Sequence, residues 1–207
     1  MKQLGTAWSM YMQDYDAVMI EQIRPPCYAG PAGGALACSV AWPVLAMPYV
    51  KSWDVIKCPS WSASMPMDRT QNPVLRKPLS YLYSKMCPTS WWLNPQYTGK
   101  QGFCTDCFTL PITDAMVEDP SGTLWLVEGG NRTTGPLEYQ VYWAGMQVAY
   151  EPHADYGMNT YYSGSSLIGC RVGNPHFDGF NAVFGDGHAK WVKWKSGTPR
   201  MYTIQAD

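Results

Sequence analysis

Apolar residues at Leu4, Trp8, Tyr11, Tyr15 and Val18 recur at steps of four, three, four and three, while Gln3, Gln13, Asp14 and Asp16 fall between them. This period predicts one amphipathic helix over residues 1–20 with a single stripe turned to a core. The helix should stop before "RPPCYAGPAGG", whose prolines and glycines break it. It starts without a capping residue ahead of Met1, as a helix does when more of it lies upstream. "AWPVLAMPYVKSWDVIKCPS" reads as a short apolar turn of helix or an irregular segment closing on Cys58-Pro59. From Trp61 to about Pro111, loops are expected with a short strand near "SYLYS", and "GTLWLVEGG" (122–130) reads as a strand bounded by glycines. "LEYQVYWAGMQVAY" fits either a strand pair or a short helix.

The stretch "NPHFDGFNAVFGDGHAKWVKWK" (174–195) predicts a hairpin. A two-residue turn at Asp186-Gly187 suits the positive φ angles of a type I′ turn. That register sets Phe184 opposite Ala189, Ala182 opposite Trp191 and Phe180 opposite Lys193. Ala182, Phe184, Ala189 and Trp191 then form an apolar face toward the helix, with Asn181, Val183, Lys190 and Val192 outside. His176 and Asp178 precede the first strand, and Asp186 and His188 follow it. A strand of that length spans roughly 17 Å, so the two His/Asp pairs are expected to be separate and mainly structural. A Ca²⁺ held by loop carboxylates such as Asp178 or Asp186 is the minority reading, and otherwise no cofactor is expected.

The 207 residues suit one domain: the helix (1–20), a loop-rich region (21–120) and a C-terminal β region (121–207). Charged residues are only 15% of the chain against about 25% in an average domain, whereas aromatics reach 14%. Such a surface is suited to being covered by neighbours. A net charge of −1 and scattered basic residues argue against nucleic acid as a partner; Lys190, Lys193 and Lys195 alternate with apolar residues as on a solvated strand. No stretch approaches the roughly 18 apolar residues of a membrane span, and no signal peptide precedes Met1.

Seven cysteines in loop-like, proline-rich settings (Cys27, Cys38, Cys58, Cys87, Cys104, Cys107 and Cys170) fit extracellular disulfides. The odd number leaves one over, and the connectivity stays open; Cys104–Cys107 and Cys27–Cys38 are the favoured local links. Cys104-Thr-Asp-Cys107 lacks the second pair of a structural zinc site and the βαβ setting of a redox motif. "GSSLIG" is no nucleophile elbow, and "GPAGG" lacks the ending of a phosphate loop. Asp114, Glu118, Asp119 and Glu128 are carboxylates of the kind a glycosidase pairs, but no motif brings two of them together. No catalytic constellation emerges, and no enzyme is expected. Asn131-Arg-Thr133 is a glycosylation sequon, and Trp91-Trp92 is where stacking on glycans would be sought.

Several segments resemble a large bacterial family of pilin-like proteins. "MKQLGTAWSMYMQDYD" is similar to the end of that family's long N-terminal helix, and "PYVKSWDVIKCPSW" to its Pro-Tyr-Val-Lys followed by Cys-Pro-Ser. "SYLYS" resembles its Ser-Tyr-x-Tyr element, with Ser84 in place of the usual Asn, and "EDPSGTLWLVE" its Pro-x-x-Thr strand. His176, nine residues and then Asp186-Gly187, with His188 next, resembles its C-terminal signature. The resemblance spans nearly the whole chain. It implies an α+β fold built like the pseudopilins of type II secretion: an N-terminal helix packed on an antiparallel sheet, here with long disulfide-stapled loops. It also implies a protein exported to the cell surface or beyond, where it self-associates through an upstream apolar segment. This chain lacks that segment, so it was trimmed or assembles by another route. The expected role is an extracellular structural subunit of a filament or surface polymer; the alternative is a secreted binding module for glycans or Ca²⁺.

Overall fold

The computed structural model describes residues 1–20, 23–28, 37–60, 65–66, 78–83, 103, 111–130, 171–172, 176–193, 196, 199–202 and 204–205. Asn131, Trp91, Trp92, Cys87, Cys104, Cys107, Cys170 and the 137–150 segment lie outside them, as do the side chains of Cys27 and Cys38.

Helix α1 (Lys2–Asp14) follows the predicted stripe, with Leu4, Trp8 and Tyr11 buried. It ends earlier than the periodicity suggests. Asp16 and Ala17 take φ values of 51° and 62°, and the Ala17 amide turns back to the Met12 carbonyl at 2.8 Å. Tyr15 therefore sits beyond the helix, stacked on Tyr11, and Val18 bridges to Thr113 in extended conformation. The loop-rich region holds more structure than expected. Strands β1 (Ile23–Tyr28) and β2 (Ala37–Ala41) pair antiparallel, with the register shifting between Arg24 and Cys27. Pro25 and Pro26 occupy that irregularity, where a missing N–H does least harm to a ladder. Helix α2 (Trp42–Val50) resolves the apolar segment as helical, and a 3-10 turn (Trp53–Ile56) follows it.

Short strands β3 (Met65–Pro66) and β4 (Pro78–Leu79) pair with each other. The main sheet is wholly antiparallel, in the order β5 (Tyr81–Tyr83), β6 (Leu124–Gly130), β8 (Gly179–Phe184), β9 (Ala189–Lys193), with β7 (Arg171–Val172) paired to the end of β6. This is the α+β arrangement the sequence suggested: a helix at the N-terminus and an antiparallel sheet.

The hairpin exists where expected, but its register is slipped by one residue. Val183 pairs with Ala189, Ala182 with Lys190, Asn181 with Trp191 and Phe180 with Val192. The loop has three residues, Gly185-Asp186-Gly187, with Gly187 at φ 85° and its amide bonded to the Phe184 carbonyl at 2.9 Å. A one-residue slip turns every side chain to the other face. The flip falls on β8: Val183 joins the helix-facing core, where Ala189 remains as expected, while Ala182 and Phe184 pass to the opposite face with Lys190 and Val192. Tertiary contacts accompany this register. A Cβ on Gly5 would lie 1.9 Å from the Gly187 carbonyl oxygen, so α1 rests directly on the turn backbone. Trp8 Nε1 donates to the Gly185 carbonyl at 2.8 Å. Trp8 also packs on Trp125, with ring centroids 3.8 Å apart.

Candidate functional site

Register and helix placement divide the helix-facing side of the sheet into rows. Val183 and Ala189 continue from Leu126 into the core beneath α1. Two residues along, Tyr81 pairs with Glu128, Asn181 pairs with Trp191, and extending the β6–β8 register by one residue sets Glu128 beside Asn181. Glu128 thus stands on the same face as Leu126, two residues further along β6, and it is only 1% exposed.

A buried carboxylate is tolerated only if its oxygens are satisfied and its charge is balanced. Asn181 donates to Glu128 Oε2 twice, from its backbone N–H at 2.6 Å and its side-chain amide at 3.2 Å. Glu128 Oε1 lies 3.0 Å from His176 Nε2. The same ring nitrogen is 3.4 Å from the Cys58 sulfur. The three atoms Sγ, Oε1 and Nε2 all lie within 4.8 Å of one another.

Each partner is held in place by its own element. Ser52 accepts from the Asp54 amide and starts the 3-10 turn after α2, and the Ser80 amide bonds the Ile56 carbonyl at 3.0 Å. These contacts tie Cys58 beside β5, and its side chain is a buried thiol. The odd cysteine count leaves one thiol over, and among the described residues Cys58 carries a thiol. His176 sits at the base of a tight turn whose central residues, Phe177 and Asp178, both have positive φ (51° and 58°). Its amide bonds the Gly179 carbonyl at 3.1 Å, and its own carbonyl accepts from Trp191 Nε1 at 2.9 Å. The Trp191 ring lies across Gly179, where a Cβ would come 2.3 Å from the indole. An open cleft of about 340 Å³ runs beside the cluster, with Ser60, Tyr81 and Lys190 among its walls. Burial, with Cys58 and Glu128 nearby, pushes the Tyr81 phenol well above its usual range, so it stays protonated there.

The geometry discriminates between chemistries. A nucleophilic triad uses both ring nitrogens, one toward the nucleophile and the other toward the orienting acid. Here thiol and carboxylate converge on the same Nε2, so no relay runs from Glu128 through His176 to Cys58. One nitrogen carries at most one proton and bonds only one of these neighbours well.

The other expected residues fall elsewhere. Asp186 is the turn former anticipated for it: its Oδ1 accepts from the His188 amide at 3.0 Å and meets His188 Nδ1 at 2.6 Å, with both side chains exposed. That pair lies at the far end of β8 from His176, as the sequence implied, and Asp178 and Asp186 are likewise kept apart. Asp119 binds Ser121 and the Gly122 amide and lies 3.7 Å from Arg200, so it does not pair with Glu128. The sequence reading missed the joining of Cys58 and Glu128 to His176. A usable signal existed: Leu126 and Glu128 are two residues apart on one strand, which places an acid on the face of a core leucine. Among the described residues, no helix is long and apolar enough to cross a membrane. Comparison with family models, with curated proteins and with solved structures finds no match to this chain.

Proposed function

We propose that this chain is an extracellular, pilin- or pseudopilin-like structural subunit that assembles into a filament or cell-surface polymer. The observation that carries the reading is the seating of α1 on one face of an antiparallel sheet, backbone against backbone at Gly5 and Gly187. That is the layout the family resemblance implies. Phe177 adds a surface suited to a neighbour: it is 98% exposed on a turn whose backbone favours Gly or Asn. A contact of that kind, repeated head to tail without closing, generates a fibre. Disulfide stapling belongs to the same proposal. Cys27 and Cys38 are Cα partners across β1–β2, and antiparallel partners lie about 4.5–5.5 Å apart, inside the span a disulfide bridges.

Electron microscopy of the protein purified from its native source tests the reading. Regular fibres with a subunit mass matching the chain are expected. Dispersed single particles at high concentration would overturn it in favour of a secreted binding module.

A further inference from the structure

We propose that Cys58, Glu128 and His176 form a binding site for one zinc-class divalent cation, with a further coordination position open to the adjacent cleft. The inference holds whether or not the chain polymerises.

The donor set comes first. A sulfur, an imidazole nitrogen and a carboxylate oxygen suit a borderline-soft metal such as Zn²⁺; Ca²⁺ and Mg²⁺ prefer oxygen throughout. Spacing agrees. Donors at about 2.0–2.3 Å from a tetrahedral centre stand about 3.3–3.8 Å apart. The observed Nε2–Oε1 and Nε2–Sγ separations are 3.0 and 3.4 Å, and the third pair lies within 4.8 Å. Shifts of a few tenths of an ångström to about an ångström bring all three onto one centre.

The convergence on Nε2 is the second argument. Thiol and carboxylate both lie within 3.4 Å of the same ring nitrogen. A cation can take all three, since the nitrogen, the sulfur and Oε1 are each metal donors and lie within 4.8 Å of one another. It also neutralises the buried Glu128 carboxylate.

Supporting contacts provide the third. Both Asn181 donors engage Oε2, which fixes the carboxylate and leaves Oε1 facing the cluster. The Trp191 indole holds the backbone of His176 from the other side. Outer contacts of this kind orient the ligands of a metal site. Three protein ligands beside an accessible cleft are the composition of an open site, whereas a purely structural zinc takes four.

The test uses the full chain, reduced and stripped with a chelator, then titrated with Co²⁺ as a spectroscopic probe. A thiolate-to-cobalt charge-transfer band saturating at one equivalent and displaced by Zn²⁺ is expected. Cys58→Ser should abolish the band. Glu128→Gln and His176→Asn should each weaken binding at least tenfold, and His188→Asn, at the exposed pair, should leave it unchanged. Because the other six of the seven cysteines could also hold cobalt, a band of full intensity in folded Cys58→Ser would overturn the proposal, as would no band in the wild type. X-ray absorption of the zinc-loaded wild type needs no folded variant. One sulfur with nitrogen and oxygen neighbours is expected, and two or more sulfurs would refute the site.

Discussion

The indole Nε1 of Trp191 donates to the backbone carbonyl of His176 at 2.9 Å, so a residue on β9 fixes the turn that carries the cluster's imidazole. The ring reaches that carbonyl only because Gly179 offers no Cβ. Trp191→Phe keeps an aromatic ring of smaller size and removes one hydrogen bond, with an expected loss from the hydrogen bond of about 0.5–1.5 kcal/mol. Gly179→Ala forces the ring away and should cost about 1–3 kcal/mol. Urea unfolding measures both, and the indole N–H resonance of Trp191 should move toward its solvent-exposed position in Gly179→Ala.

Gly5→Ala is expected to be the more damaging glycine substitution. Its Cβ would meet a backbone oxygen at 1.9 Å, which no side-chain rotation relieves, so α1 must lift from the turn. Lifting it also strains the Trp8–Gly185 hydrogen bond. Destabilisation of about 3 kcal/mol or more is expected, at the upper end of overpacking costs. Thermal unfolding checks it, and a melting temperature within a degree of wild type would refute the close contact.

Tyr49 donates to Asp14 Oδ2 at 2.8 Å, tying α2 to the end of α1. Desolvation first, then this hydrogen bond and the Asp14 charge, push its phenol up to about 12. The unfolded phenol titrates near 10. A group raised on folding contributes its stability in full below the unfolded value and loses it as pH climbs through the folded one. Stability should therefore fall between about pH 10 and pH 12, with the upward shift of Tyr81 adding to the loss. Tyr49→Phe should flatten part of that decline, measured by denaturant unfolding across the alkaline range.

Phe177→Asn should stabilise the monomer. Both central residues of its turn have positive φ, which Asn adopts more readily than Phe. A gain of about 0.5–1 kcal/mol is expected from relieved backbone strain. If the exposed ring is a subunit contact, the same variant should be impaired in fibre formation. Unfolding and sedimentation of one preparation give both readings.

Peptide mapping of the native protein without reductant should recover Cys27 joined to Cys38, given their paired positions in the β1–β2 ladder. The Cys58 peptide should carry a thiol that alkylates after unfolding.

The helix was legible because its stripe is carried by large residues at a 3.6-residue period, and Leu4, Trp8 and Tyr11 are buried as that period requires. Its end was not, because Tyr15 and Val18 continue the pattern while the backbone at Asp16 and Ala17 leaves the helix. Strands β5 and β6 stood out through their composition. The β8–β9 register was ambiguous locally: Gly185-Asp186-Gly187 accommodates either a two-residue turn or a three-residue loop closed by a left-handed glycine. Contact of α1 with the loop accompanies the second, and sequence spacing does not display that contact. The cluster was hidden for a related reason. Glu128 lies 48 residues from His176, and Cys58 lies 118 from it. Searching for ligands by local spacing sees only His176 beside Asp178 and His188 beside Asp186.

Tyr81, Glu128, Asn181 and Trp191 stand in one transverse row, each supplied by a different strand. Sliding β8 by a single residue against β6 would swing Asn181 to the reverse face and leave the Glu128 carboxylate without its two donors. The row therefore works as a checksum on strand alignment. A misthreaded sheet could still hide its leucines and valines, since both faces offer apolar cover, but it would strand an acid in the interior. One polar line across the sheet thus distinguishes the correct pairing from its greasy near-misses.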